Sequence, residues 1–211
     1  MDNLSATALA HLRAVDPVLA AVLADAGPYG LAPSDRRFHA LVSSIVSQQI
    51  STRAASSIMA RVEALYGSGD DVTATATLAL DPLTLRGAGL SGVKVGYILD
   101  LAARVDDGRL DLARIASLDD DDVIAALVAV KGVGRWTADM FLMFSLGRMD
   151  VFPVGDLGLR AAVQRHYNLE ALPDAKALQA IGASWSPYRS VATWYLWQSL
   201  KTARGEKDRA S

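Results

Sequence analysis

Apolar residues return at helical spacing along nearly the whole chain, and alternating β-branched runs bounded by turns are scarce. That pattern restricts the chain to an all-α fold. In DPVLAAVLADAG, Asp16 reads as an N-cap, Pro17 sits in the first turn and Gly27 ends the segment. SDRRFHALVSSIVSQQ places Ser34 ahead of its first turn and carries an apolar set of Phe38, Leu41, Val42, Ile45 and Val46. STRAASSIMARVEALYG starts on Ser51 and stops at Gly67, and SGVKVGYILDLAARVDDG starts on Ser91 and ends by Gly108. Further helices fit near 156–167, 174–183 and 187–204, and the polar tail ARGEKDRAS is expected to fray.

Composition bounds the function classes. With 211 residues, 51% of them hydrophobic, the chain can bury a core as one domain or as two small lobes. No stretch of about 18 uncharged apolar residues suggests a membrane span. MDNLSATALAHLR lacks the basic start and cleavage site of a signal peptide, so a cytoplasmic protein is expected. The absence of cysteine excludes disulfides, thiolate catalysis and cysteine-ligated zinc or iron–sulfur centres. His11, His39 and His166 show no metal-ligand spacing and read as surface or packed residues.

A net charge of −2 and a pI near 5.9 argue mildly against a nucleic-acid partner. The charges are unevenly placed, however. Acid gathers at Asp70 and Asp71, at Asp106 to Asp111 and at Asp119 to Asp122. The last run precedes VIAALVAV and reads as a carboxylate-rich helix start facing the macrodipole, not as a metal site. Between Val130 and Tyr167, Lys131, Arg135, Arg148, Arg160 and Arg165 outnumber Asp139, Asp150 and Asp156. A basic face on an acidic protein remains open.

One stretch interrupts the helical pattern. In LVAVKGVGRWTADMF, an apolar run closes one helix, Lys131-Gly132-Val133-Gly134 makes a tight hairpin, and RWTADMFLMFSL resumes as a second helix. Glycines permit positive φ and let another backbone approach closely. Gly134 precedes a helix start, whose unpaired amides attract anions. A plain glycine turn would explain an isolated pair of this kind. The flanking cations Lys131 and Arg135, and Thr137 in the following first turn, favour an amide cradle for a DNA backbone phosphate.

LVAVKGVGRWTA resembles the helix–hairpin–helix element of the HhH-GPD superfamily of DNA glycosylases, and DVFPVGD, Asp150 to Asp156, resembles that superfamily's Gly/Pro-rich loop ending in a catalytic aspartate. IVSQQIS, GLSGVKVGYILDLA and WSPYRSVATWYLW extend the likeness from about Val42 to Lys201, nearest to the AlkA-type 3-methyladenine DNA glycosylases. The resemblance implies an all-α, two-lobed fold with an interlobe active-site cleft. One lobe would hold residues 34–147, with the helix–hairpin–helix at about 123–146, and the other residues 1–33 plus 148–211. It implies a monofunctional glycosylase that flips alkylated purines such as 3-methyladenine and 7-methylguanine out of double-stranded DNA for base excision repair. The expected protein is a monomer, cytoplasmic and nucleoid-associated through DNA, with no membrane partner.

The same resemblance distributes roles. Asp156 would stabilise an oxocarbenium-like sugar and orient or deprotonate water, although alone it would read as an N-cap. Trp136 and Trp197 would line the base pocket, with Met140 where the best-known relative has a tyrosine; an indole face suits a cationic base. Gln48 and Gln49 would probe the gap left by the flipped base, and Ser91 with Lys94 would offer a second phosphate grip. Lys131, Gly132, Gly134, Arg135 and Thr137 would hold the first. Trp185, Trp194 and Tyr195 read as core or groove-lining residues. A lysine replaces Trp136 in the bifunctional glycosylase/lyases, so no lyase activity is expected here. No cofactor is required and no iron–sulfur cluster is expected, while a sodium or potassium ion would sit on backbone carbonyls of Val128, Val130 and Val133. Two rivals stand: a non-enzymatic HhH DNA-binding module using Asp156 as a cap, and an all-α interaction protein.

Overall fold

The computed structural model describes residues 3–24, 26–67 and 72–209, and the side chains of 5–24, 26–67 and 72–200. Asp70, Asp71, Ala210 and Ser211 lie outside the described residues. Among those described there are helices and no strand. In order they are α1 (Asn3–Val15), α2 (Pro17–Ala24), α3 (Arg37–Ser47), α4 (Thr52–Glu63), α5 (Ala74–Leu78), α6 (Pro82–Gly87), α7 (Gly92–Asp106), α8 (Asp120–Val128), α9 (Arg135–Phe144), α10 (Leu157–His166), α11 (Ala175–Ile181) and α12 (Arg189–Arg209). The chain divides into two compact units, Met1–Pro33 with Gly147–Ser211, and Ser34–Leu146. No helix among the described residues is long and apolar enough to cross a membrane.

In the discontinuous unit, α1 packs on α2, and α2 and α10 pack on α12. Their shared core includes Leu12, Leu19, Leu159, Val163, Trp185 and Leu196, all fully buried. Asp16 caps α2 as its sequence predicts, accepting from the amides of Val18 and Leu19 at 2.9 and 3.0 Å. It also accepts from the Tyr167 hydroxyl and, at 2.8 Å, from the Trp185 indole. Burial pushes this carboxyl up, but the four bonds together hold it below the ordinary carboxylate value. One buried side chain thus ties the start of α2 to the far end of α10 and to Trp185.

In the continuous unit, α3 pairs with α4, α5 and α6 pack on α7, and α8 pairs with α9 around the glycine hairpin. Leu41, Ile45, Ile98, Leu101, Leu127 and Leu142 fill its centre. Ser51, Ser91 and Asp119 cap α4, α7 and α8, accepting from the amides of Ala54, Lys94 and Asp122. The acidic run is therefore a helix start, with Asp120, Asp121 and Asp122 in its first turn. Several termini depart from the sequence reading, among them the end of α2, which stops at Ala24 ahead of Gly27. Ser34 accepts from the Arg36 amide ahead of α3, which begins at Arg37 without a side-chain cap. Helix α4 stops at Glu63, and a single 3-10 turn carries the chain to Gly67 at φ +85°. Helix α12 continues to Arg209 through most of the tail expected to fray.

Candidate active site

The loop from Asp150 to Asp156 is anchored at both ends. Asp150 takes the Arg189 guanidinium on both carboxylate oxygens, at 2.8 and 2.7 Å, and the Ser186 hydroxyl at 2.9 Å. Burial raises the Asp150 carboxyl, but the Arg189 pair and the added bonds outweigh it and leave it below its usual range. The Val151 amide donates to Ser190 at 2.9 Å, and the Phe152 ring meets Trp185 edge-on at 5.5 Å. At the far end the Asp156 amide donates to the Pro153 carbonyl at 2.8 Å, closing a turn that delivers its carboxylate to the start of α10.

Asp156 is the N-cap of α10, and its Oδ1 accepts from the Leu159 amide at 2.6 Å. The same oxygen accepts from the Trp197 indole at 2.8 Å. A plain cap needs only the first bond. Gly158 makes room for the second: a Cβ there would stand 3.2 Å from Asp156 Oδ1 and 3.3 Å from the Trp197 ring. Trp197, expected as a wall of the base pocket, thus holds the half-buried carboxylate by its N–H. Nothing in the sequence spacing signalled this, because the two residues stand 41 apart.

The hairpin is built as the sequence implies, with one refinement. Gly132 has φ +78° and lies over Tyr97, whose Cδ2 would be 2.1 Å from an added Cβ. Gly134 does not use its freedom. Its backbone is extended, it caps α9 without a side-chain bond, and an added Cβ would meet no atom within 4 Å. The internal packing therefore does not require a glycine at 134. Lys131 is exposed and its amide donates to Asp100 at 2.9 Å. Arg135 bonds Asp139 at 2.9 Å, and burial raises that carboxyl against the pull of its partner. Thr137 is a correction: at 4% exposed it packs inward and does not present its hydroxyl to a surface phosphate.

Lys94 has protein partners that its sequence position does not announce. Its ammonium, expected to grip phosphate, donates to the carbonyls of Val46 and Gln48 at 2.8 and 2.7 Å, and burial lowers it from its ordinary value. Ser91 serves as the cap of α7. The Gln48 side-chain amide turns to the hairpin and donates to the Gly132 carbonyl at 2.8 Å. Gln49, between α3 and α4, is exposed and held at φ +58°, a left-handed conformation costly for a residue with a Cβ.

Trp136, in the first turn of α9, is 46% exposed and borders a cleft of about 560 Å³ with Ser43, Ser47, Ile50, Thr52 and Met59. Met140, one turn along, is half-buried. Trp185 and Tyr195 are core residues, and Trp194 packs edge-on against Tyr29 and Tyr195. Each histidine is partnered, His11 by the Ser184 carbonyl, His39 by Glu63 and His166 by Ser199. Of the carbonyls expected to hold a monovalent cation, that of Val130 accepts the Val133 amide at 3.1 Å. Among the described residues no group of carboxylates and histidines could hold a metal ion.

A helical frame, a glycine hairpin between paired helices, and a loop-borne aspartate at a helix start together define a class. The chain belongs to the HhH-GPD superfamily of base excision DNA repair proteins, whose sequence profile matches residues 42–187. It is similar to the crystal structure of a DNA-3-methyladenine glycosidase from Bacillus halodurans, at 39% identity and TM-score 0.83, covering 94% of this chain and 91% of that one. It is also similar to the 3-methyladenine DNA glycosylase of Schizosaccharomyces pombe in complex with abasic DNA, at 27% identity and TM-score 0.82, covering 92% and 97%. A Bacillus subtilis relative bearing a DNA-3-methyladenine glycosylase name is 31% identical over 169 residues, 78% of this chain. The chain spans 59% of that relative's length.

Proposed function

We propose that the chain is a monofunctional DNA glycosylase that hydrolyses the N-glycosidic bond of alkylated purines in double-stranded DNA, 3-methyladenine and 7-methylguanine among them. The observation that carries this reading is the double hold on the Asp156 carboxylate, by the Leu159 amide and the Trp197 indole, in a chain of this superfamily. As the bond from C1′ to the base breaks, its electron pair leaves on the purine. An alkylated purine is already cationic, so it departs neutral and needs little acid assistance. The sugar becomes oxocarbenium-like, and a fixed carboxylate stabilises that charge. Water then adds to C1′ and gives up a proton, for which Asp156 is the acceptor.

Three features support the rest of the proposal. The exposed Trp136 ring is a stacking surface for an electron-poor base. Tryptophan also stands where the resemblance puts the lysine of the lyases, so water and not an amine is the nucleophile, as in the type II enzymes. Gly134 leaves open the approach that a phosphate would take to the start of α9, with Lys131 and Arg135 beside it. We place a sodium or potassium ion on the Val128, Val130 and Val133 carbonyls of the DNA-bound hairpin. The protein acts as a monomer, in the cytoplasm on nucleoid DNA.

Incubation with dimethyl-sulfate-treated duplex DNA tests the reading. Free 3-methyladenine, abasic sites and unbroken strands are expected, with no adduct trapped by borohydride. A borohydride-trapped adduct with strand cleavage would overturn the monofunctional assignment. DNA binding without base release would favour the non-enzymatic clamp.

A further inference from the structure

One face of α7 serves two loops at once. Lys94, Tyr97 and Asp100 follow at intervals of three residues, which stacks them along one side of the helix. Lys94 clamps the Val46 and Gln48 carbonyls at the C-terminal end of α3, where a cation also meets the negative end of the helix dipole. Tyr97 lies under Gly132, and Asp100, paired with Arg104 at 2.9 Å, accepts from the Lys131 amide. Gln48 closes the circuit by donating to the Gly132 carbonyl. The loop that carries Gln49 and the hairpin that carries Gly134 are thus tied to each other and to a common helix.

From this geometry we infer that Lys94 and Gln48 are positioning residues: they brace the 48–51 loop against the hairpin, so that the left-handed Gln49 is presented to the duplex in a fixed place relative to the hairpin. A left-handed glutamine is costly and persists only where its surroundings over-determine it. Here the two carbonyls leading into that bend, at Val46 and Gln48, are held by one ammonium, and the residue before Gln49 is held by its own side chain. Two of the three donors of the lysine are committed to protein carbonyls, one on each side of Ser47, which makes it a ligature of that turn. Burial lowers the ammonium from its ordinary value, and the two carbonyls offset that cost. What the brace does for DNA rests on the glycosylase reading; that the brace holds the loop does not.

The test uses the full chain with Lys94→Met, which keeps the stem and removes the donors, with Lys94→Arg as the conservative variant and Gln48→Ala as a lighter cut. Hydrogen exchange of the free protein reads the brace. In Lys94→Met, amides of 48–51 and 131–134 are expected to exchange roughly 10-fold faster or more, as loss of a charged hydrogen bond implies, while α7 and α9 keep their protection. Single-turnover base release then reads its role, comparing a lesion in a paired duplex with the same lesion in an unpaired bubble. The duplex-to-bubble rate ratio is expected to fall about 10-fold in Lys94→Met and several-fold in Gln48→Ala, and to recover in Lys94→Arg. If exchange rises throughout Lys94→Met, the Gln48→Ala pair of measurements decides. Unchanged loop exchange, or loosened loops with an unchanged rate ratio, would overturn the inference. Wild-type protein that releases no methylated base from either DNA would sink the glycosylase reading instead, with the exchange data still deciding the brace.

Discussion

The Trp197 indole nitrogen stands 2.8 Å from Asp156 Oδ1, and it donates to the same oxygen that caps α10. The carboxylate is thereby fixed from two directions, by backbone on one side and an aromatic N–H on the other. Trp197→Phe keeps an aromatic ring, smaller than the indole, and deletes the donor. Hydrogen bonds to charged groups are worth roughly 1.5–3 kcal/mol, so single-turnover base release by the folded variant should slow about 10- to 100-fold. An unchanged rate would show that the indole bond does not set the carboxylate's position.

The two hairpin glycines should respond differently to alanine. Gly132→Ala meets both a left-handed backbone and the Tyr97 ring at 2.1 Å. Strain and overpacking together predict a loss of roughly 2–5 kcal/mol in denaturant unfolding. Gly134→Ala meets nothing within 4 Å and should fold with wild-type stability. Its effect belongs to DNA, with affinity for an abasic-site duplex falling about 10-fold if a phosphate must approach there, a change of about 1.4 kcal/mol. Wild-type affinity in Gly134→Ala would remove that approach.

Acid stability should depend on Asp16. Its folded pKa is depressed, so its contribution is present above the ordinary carboxylate value and is lost as pH falls through the lower folded one. Asp16→Asn retains an acceptor for the α2 cap but loses the charge that strengthens the bonds from Tyr167 and Trp185. We expect a loss of roughly 1–3 kcal/mol at neutral pH, with the gap to wild type closing below about pH 4. Denaturant midpoints measured from pH 7 down to pH 3 provide the check, and a constant gap would contradict the assignment.

The sequence was most legible where chemistry is local. Ser51, Ser91, Asp119 and Asp156 announce helix starts because a cap bonds an amide only two or three residues away. The short helices α5 and α6 carry little periodic signal, since five or six residues show too little of a 3.6-residue period. The Asp81–Pro82 pair was nonetheless a readable cap and first turn. Long-range partners left no trace. A lysine after a capping serine looks like a phosphate ligand until the carbonyls of Val46 and Gln48 come into view 48 and 46 residues away. Thr137 sits in the first turn of α9 as expected, but only packing reveals that it faces inward.

The central claim is that a single held carboxylate, Asp156, carries the hydrolysis. Asparagine at 156 keeps an oxygen for the Leu159 amide and is as good a cap, so the protein should fold and bind DNA. Single-turnover release of 3-methyladenine, measured together with affinity for abasic-site DNA, separates chemistry from binding. Asp156→Asn is expected to release base at least about 100-fold more slowly while its affinity stays within a few-fold of wild type. Release at near the wild-type rate would contradict it.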